Sequence, residues 1–342
     1  MMPPAREPTP QSNPPLYRSS DADPSVLQGC RIAVVGYGNL GRSMALNLRD
    51  AGLDVIVGNV ADVHAERARQ EGFVVESISR AVAEATLSYL LVPDEVLVAM
   101  FDQEIRPVLK AGSAIAFGSG YFLAFGMDAP PAEVDVVMLA PRMLGEQVRR
   151  TTLSGEGYLS YCSVHTDATG DAMARLLALA DAAGSLQKGA MELSAHQEAL
   201  LDLLVEQTVG PYLGLAMQLA FQVGLDAGLP AEAMVLELYG SGEMSQTFAA
   251  FARDGFLRSV GAHGVVAAFG GFLRTLEIDA ASIREHFARV AAEIEGGGFA
   301  AKLQEEMRTG YPTMKLIQAF SQGSDPMSQA EERLGKELGE RF

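Results

Sequence analysis

Short apolar runs alternate with longer amphipathic stretches over the first 190 residues, and after that the pattern becomes almost wholly helical. Arg31 to Val35 (RIAVV) reads as a buried strand, followed by a helix over Arg42 to Asp50 and a second strand over Asp54 to Val57. Further strands are expected at Leu87 to Val92, Ser113 to Phe117, Asp135 to Leu139 and Gly155 to Val164, with a helix over Gly170 to Ala183 leading out. Such βαβ alternation predicts a parallel sheet of the Rossmann type over residues 29–190. From Met191 the chain is rich in Ala, Leu and Met at helical spacing, so residues 191–342 are expected to form an all-helical domain. Residues 1–28, dense in Pro, Ser and Asp, read as a disordered tail.

Two helical stretches stand out. In Leu193 to Gly210 (LSAHQEALLDLLVEQTVG), Glu198, Asp202 and Glu206 recur at i, i+4 steps among leucines and Val205. That pattern suits either a solvated acidic face or carboxylates held against apolar side chains to bind a hard cation such as Mg2+. Pro211 to Val223 is apolar on most sides, more than the core of one chain needs, and points to burial against a second copy. Ala231 to Tyr239 should be the next helix, with Glu237 its one acid in an apolar run and Gly240 and Gly242 loosening its end.

The 342 residues include 48% hydrophobic side chains, enough for two domains, and carry a net charge of −17. Such an acidic balance argues against nucleic acid or an anionic membrane as partner, and leaves small molecules and other protein chains. Cys30 and Cys162, the only cysteines, show no metal-ligand spacing, and no apolar run reaches the length of about 18 residues that a membrane helix needs. A reduced, cytoplasmic setting is expected.

GYGNLG, at Gly36 to Gly41, sits between a strand and a helix, the context in which this glycine pattern holds a dinucleotide. Gly36 allows the turn, Gly38 lets backbone N–H groups reach a pyrophosphate, and Gly41 lets helix and strand close up, with Tyr37, Asn39 and Leu40 completing the loop. After the second strand, Asn59 and Asp62 could accept a ribose hydroxyl and no basic cluster awaits a 2′-phosphate, so NAD is favoured over NADP even with Arg67 and Arg69 nearby. Val92, Pro93 and Asp94, Gly118 and Ser119, and Arg142 lie at the carboxyl ends of later strands, where an open parallel sheet presents cofactor and substrate.

VGYGNLGRSMALNLRDAGLDVIVG, LLVPDEV, VMLAPR with VRR, VHTDATGDA, DLLVEQ and the terminal LGKEL together resemble the ketol-acid reductoisomerases of branched-chain amino-acid synthesis, from about residue 31 to 339. The resemblance implies a Rossmann domain followed by a knotted helical domain, a nicotinamide cofactor and two Mg2+ ions. It implies Asp202 as the bridging metal ligand, Glu206 as the second, and Glu237 as a third. In short-chain members that third ligand is donated across a homodimer interface, so active sites are shared within a dimer or larger homo-oligomer.

Against that family pattern, Ser241 stands where a fourth glutamate is expected, with Glu243 off the i+4 face. Ser119 replaces a histidine and Arg142 a lysine, and SVGAHG, with Ala262 and His263, replaces a serine-rich loop near Arg258. Ser for His removes a group that titrates near neutrality, and Arg for Lys keeps charge but changes geometry. The expectation is an NAD- and Mg2+-dependent enzyme in which Asp202, Glu206, Glu237, Ser119 and Arg142 do the chemistry. Its substrate would be a small dihydroxy or hydroxy-oxo acid of specialised metabolism, and the reaction closure of a cyclopropanol ring on a sulfonium-bearing dihydroxy acid. The alternatives are a genuine acetohydroxy acid isomeroreductase, a metal-independent NAD hydroxy-acid dehydrogenase using Ser119 or His263, and a non-catalytic NAD-binding protein.

Overall fold

A computed structural model describes residues 13–127, 129–259, 264–321 and 325–339. Among them the chain forms two compact units, one ending at Asp202 and one beginning at Leu203. The division thus falls inside a helix, about a dozen residues later than the pattern of apolar positions suggested.

The first unit is built on a nine-stranded sheet: β1 (Leu16–Tyr17), β2 (Arg31–Val35), β3 (Asp54–Gly58), β4 (Val74–Glu76), β5 (Leu87–Leu90), β6 (Ala114–Phe117), β7 (Asp135–Pro141), β8 (Leu159–Thr166) and β9 (Gly189–Glu192). Their spatial order is β1-β9-β8-β7-β6-β5-β2-β3-β4. Neighbours from β4 to β7 pair in parallel, whereas β8 runs antiparallel to β7. The six parallel strands make a doubly wound sheet whose order reverses between β2 and β5. Its central strands β5 and β6 are buried along their whole length, so neither alternates: β6 is a continuous apolar run and β5 departs from one only at the buried Ser88. Helices α1 (Asn39–Asp50), α2 (Val63–Gln70), α3 (Ile78–Glu84), α4 (Asp94–Met100), α5 (Gly145–Ser154) and α6 (Ala172–Ala182) cover its faces, and α7 (Ala195–Gln207) follows the last strand.

Residues 13–28 are not the disordered tail expected of them. Leu16 and Tyr17 pair antiparallel with Met191 and Ala190, and the Tyr17 hydroxyl donates to Glu192 across 2.6 Å. Leu27 is buried in the core on the α6 side of the sheet. A two-residue strand covers an otherwise open edge, and a segment so short leaves no periodicity to read. The strand β9 was missed for the same reason, and the boundary expected at residue 190 falls within it.

The second unit is all helical: α8 (Val209–Asp226), α9 (Ala231–Val235), α10 (Glu243–Asp254), α11 (Phe256–Ser259), α12 (Val265–Thr275), α13 (Ala280–Glu295), α14 (Gly298–Arg308), α15 (Pro312–Ser321) and α16 (Pro326–Leu338). Phe221, Val235, Ala330 and Leu334 form its small buried core. The helix expected over Ala231 to Tyr239 is α only to Val235; Leu236 to Gly240 widens into a π turn, and Gly242 at φ +78° starts the next helix. No helix among the described residues is long and apolar enough to cross a membrane.

Candidate active site

Where the strand order reverses, the loops after β2 and β5 diverge and leave a cleft of about 570 Å3. Gly36, Tyr37, Gly38, Asn39 and Leu40 line one side and Val92, Pro93, Asp94, Gly118 and Ser119 another, with Asn59, Asp62 and His64 at one end. Gly36 holds φ +92°, and a Cβ there would meet the Leu91 carbonyl oxygen at 2.8 Å. A Cβ on Gly41 would strike the Gly36 carbonyl, so this glycine is required by the packing of α1 against the turn. Gly38 faces open space and ends in the α1 N-terminus, which no side chain caps. Backbone N–H groups left in that state, beside a glycine without a neighbour, fit a pyrophosphate.

Side chains in and behind the cleft wall brace the loop. The Asn59 Oδ1 accepts the Tyr37 N–H at 3.0 Å, and the Tyr37 ring packs edge-on to Phe73 while its hydroxyl donates to Glu71. Arg42 forks onto the same Glu71, and these hydrogen bonds, Arg42 first, hold that carboxyl down at about 2. Asp62 caps α2, its Oδ1 accepting the N–H groups of His64 and Ala65. No Arg or Lys is among the described residues lining the cleft; Arg67 is paired with Glu71 and Arg69 with Glu66. His64, exposed at the surface, also belongs to the cleft wall.

A chain of polar contacts leads from the cleft to α7. The Ser119 hydroxyl lies 2.9 Å from both carboxylate oxygens of Asp94. Burial pushes the Asp94 carboxyl up to about 6, the Ser119 hydrogen bond opposing it. One residue on, the Gly120 N–H donates to Glu198 Oε2 at 2.7 Å. Glu198 is 1% exposed and burial pushes its carboxyl up to about 7. Its other oxygen accepts from Arg142 Nη1 at 2.9 Å, and Arg142 Nη2 reaches Asp202. The arginine is held from behind as well, its backbone N–H on the Leu159 carbonyl and its guanidinium 5.3 Å from the Tyr161 ring centre.

The three carboxylates of α7 therefore have different surroundings. Glu198, left without a role by its place on the stripe, is the buried anchor, and its spacing one turn before Asp202 was the signal for it. Asp202 is half-buried and Glu206 exposed, as are Leu201 and Val205 beside them. The apolar wall expected around these acids is thus incomplete. Glu237 lies in the π turn of the helical unit, Ser241 accepts the Glu243 N–H at 3.3 Å, and Glu243 is exposed. Ala262 and His263 fall outside the described residues. Asp202 and Glu206 offer the oxygen donors that Mg2+ prefers, but among the described residues no three His, Cys, Asp or Glu side chains gather into a group that could hold a metal.

Two family profiles match the chain: "Acetohydroxy acid isomeroreductase, NADPH-binding domain" over residues 26–189 and "Ketol-acid reductoisomerase, C-terminal domain" over residues 196–339. The chain is 36% identical over 322 residues to the "Putative ketol-acid reductoisomerase 3" of Saccharolobus solfataricus, covering 93% of this chain and 96% of that protein. Its structure is similar to that of an NADH-preferring ketol-acid reductoisomerase from an uncultured archean, with a TM-score of 0.88 at 29% identity over 94% of this chain and 98% of the other. A semialdehyde dehydrogenase NAD-binding protein from Cupriavidus necator shares the fold alone, with a TM-score of 0.54 at 19% identity over 76% of this chain and 99% of the other.

Proposed function

The chain belongs to the ketol-acid reductoisomerase family, a family of NAD(P)-dependent oxidoreductase/isomerases, and from that premise we propose an NAD- and Mg2+-dependent enzyme acting on a small dihydroxy or hydroxy-oxo acid other than the family's acetohydroxy acids. The observation that carries the reading is the unbroken line of contacts from the cofactor cleft through Asp94, Ser119, Gly120, Glu198 and Arg142 to Asp202. On this reading it would couple hydride exchange in the cleft to Glu198 and Asp202 of α7.

NAD is favoured because Asp62 stands at the cleft end and no Arg or Lys is among the described residues lining it, although the matching family domain is described for NADPH. When bound, Mg2+ would polarise the substrate's adjacent oxygens while NAD exchanges a hydride with its carbon. Asp202 and Glu206 of one chain, with Glu237 of a second, would hold the metal. Ser119 would pass a proton, with Asp94, to which its hydroxyl is hydrogen-bonded, as the acceptor. Two of the residues that depart from the family pattern, Ser119 and Arg142, are tied into the network, which supports a changed substrate.

Ring closure on a sulfonium-bearing dihydroxy acid is the narrower candidate: a carbon–carbon bond forms as the bond to a neutral sulfide breaks and one proton is lost, with no net redox change. A homodimer, in the cytoplasm, completes the proposal. Leu215, Leu219 and Val223 on α8 are 55%, 50% and 65% exposed, an apolar face that a second copy would cover; both cysteines are free.

The test is turnover of a panel containing 2-acetolactate, other dihydroxy and hydroxy-oxo acids, and a sulfonium-bearing dihydroxy acid, with NADH and Mg2+. Asp202→Asn should abolish turnover while NADH still binds. Full activity of that variant, or of the wild type in EDTA, would favour the metal-independent dehydrogenase instead.

A further inference from the structure

Arg142 already occupies the carboxylate that the proposed function gives to the metal. Its guanidinium spans one helical turn of α7, with Nη1 on Glu198 and Nη2 on Asp202. The two contacts are unequal. Glu198 is buried and is also fixed by the Gly120 N–H, whereas the Asp202 side chain keeps 31% of its exposure. The guanidinium is moreover backed by the Tyr161 ring and its backbone is pinned to Leu159, so the arm is set before any ligand arrives.

We propose that Arg142 is an internal counter-cation for Asp202, which a divalent ion must displace from that carboxylate while the arginine stays on Glu198. The inference rests on the metal reading above and adds what this chain's own residues do to metal affinity. A +1 charge beside Asp202 offsets the carboxylate when the ion is absent. It opposes the ion twice when it enters, once by holding the oxygen and once by repulsion at close range. The buried Glu198 limits the displacement to a single contact, because a guanidinium withdrawn from both acids would leave that carboxylate buried and unpaired. Binding of a divalent cation is therefore set by the length and charge of residue 142 as well as by the ligands themselves.

The experiment is titration of Mn2+ into the NADH-saturated protein, followed by electron paramagnetic resonance of the free ion, with no substrate present. Arg142→Gln keeps a donor for Glu198 but removes the charge. It should bind Mn2+ on the order of tenfold tighter than wild type, the size of one half-exposed ion contact. Arg142→Lys keeps the charge but cannot fork onto two acids, and should fall between them. Asp202→Asn should lose the tight site in either background. Equal or weaker affinity in Arg142→Gln would overturn the inference and leave the metal reading standing. Absence of Mn2+ binding in both wild type and Arg142→Gln would overturn both.

Discussion

The Gly120 N–H donates to the Glu198 carboxylate across 2.7 Å, and this bond helps tie the loop after β6 to α7, the helix that carries Asp202. The approach is possible only because residue 120 has no side chain: a Cβ would strike the Ala195 carbonyl oxygen and lie 2.7 Å from Glu198 Oε2. Gly120→Ala should therefore push α7 outward, costing about 1–3 kcal/mol in urea unfolding and disturbing Arg142 and Asp202 with it. Unchanged stability and metal affinity would show that the contact is slack.

Burial raises the carboxyls of Glu198, to about 7, and Asp94, to about 6. Each then keeps a proton in the folded chain at a pH where the unfolded chain has released it, since free carboxyls titrate near 4. Stability from the protonated forms is full below about pH 4 and is lost as pH rises through the folded values. In EDTA, the urea midpoint should decline between about pH 5 and pH 7. Glu198→Gln should remove most of that slope and leave the protein more stable than wild type at alkaline pH. A midpoint that climbs over the same interval would contradict the burial argument.

The sheet was legible because strands buried on both faces are mostly apolar, as in RIAVV after its exposed Arg31 and in AIAF, and the glycine turn follows the first of them. What stayed hidden depends on contacts far apart in sequence. Leu16 and Tyr17 gain a strand only by meeting Ala190 and Met191, and no local pattern announces that pairing. The stripe of acids on α7 was visible, yet spacing alone could not tell the buried Glu198 from the exposed Glu206. Nor could it show that Arg142, 56 residues before Glu198, supplies the opposite charge. The widened turn at Glu237 was foreshadowed by Gly240 and Gly242, which weaken the helix just beyond it.

Asp62 caps α2 with Oδ1 at the cleft end, and on the proposed reading its negative charge would face the 2′-phosphate of NADPH. Asp62→Ser keeps a capping oxygen and removes the charge. Fluorescence titration should show NADPH gaining about tenfold on NADH in this variant, with stability changed by less than about 1 kcal/mol. An unaltered ratio would place the discrimination elsewhere.

Ser119 touches the cleft and leans on Asp94, so its loss should be felt in chemistry more than in binding. Ser119→Ala should lower kcat by about 100-fold or more, with the dissociation constant for NADH within about twofold of wild type. Asp94→Asn, which can still accept from the hydroxyl but not take its proton, should show a similar loss. A kcat that survives both changes would move the proton step to another group.

The apolar face of α8 carries the last expectation. Leu215, Leu219 and Val223 are spaced four residues apart on one long helix, and half or more of each is exposed in the single chain. Water contact over such a stripe is costly at roughly 25 cal/mol per Å2, so the face should be covered in solution. Light scattering on the wild type should give twice the chain mass or a multiple of it. Leu219→Glu should shift that mass to one chain and, if Glu237 is supplied by the second copy, weaken Mn2+ binding at the same time. A wild type that is monomeric at micromolar concentration would remove both the shared site and the reason for this surface.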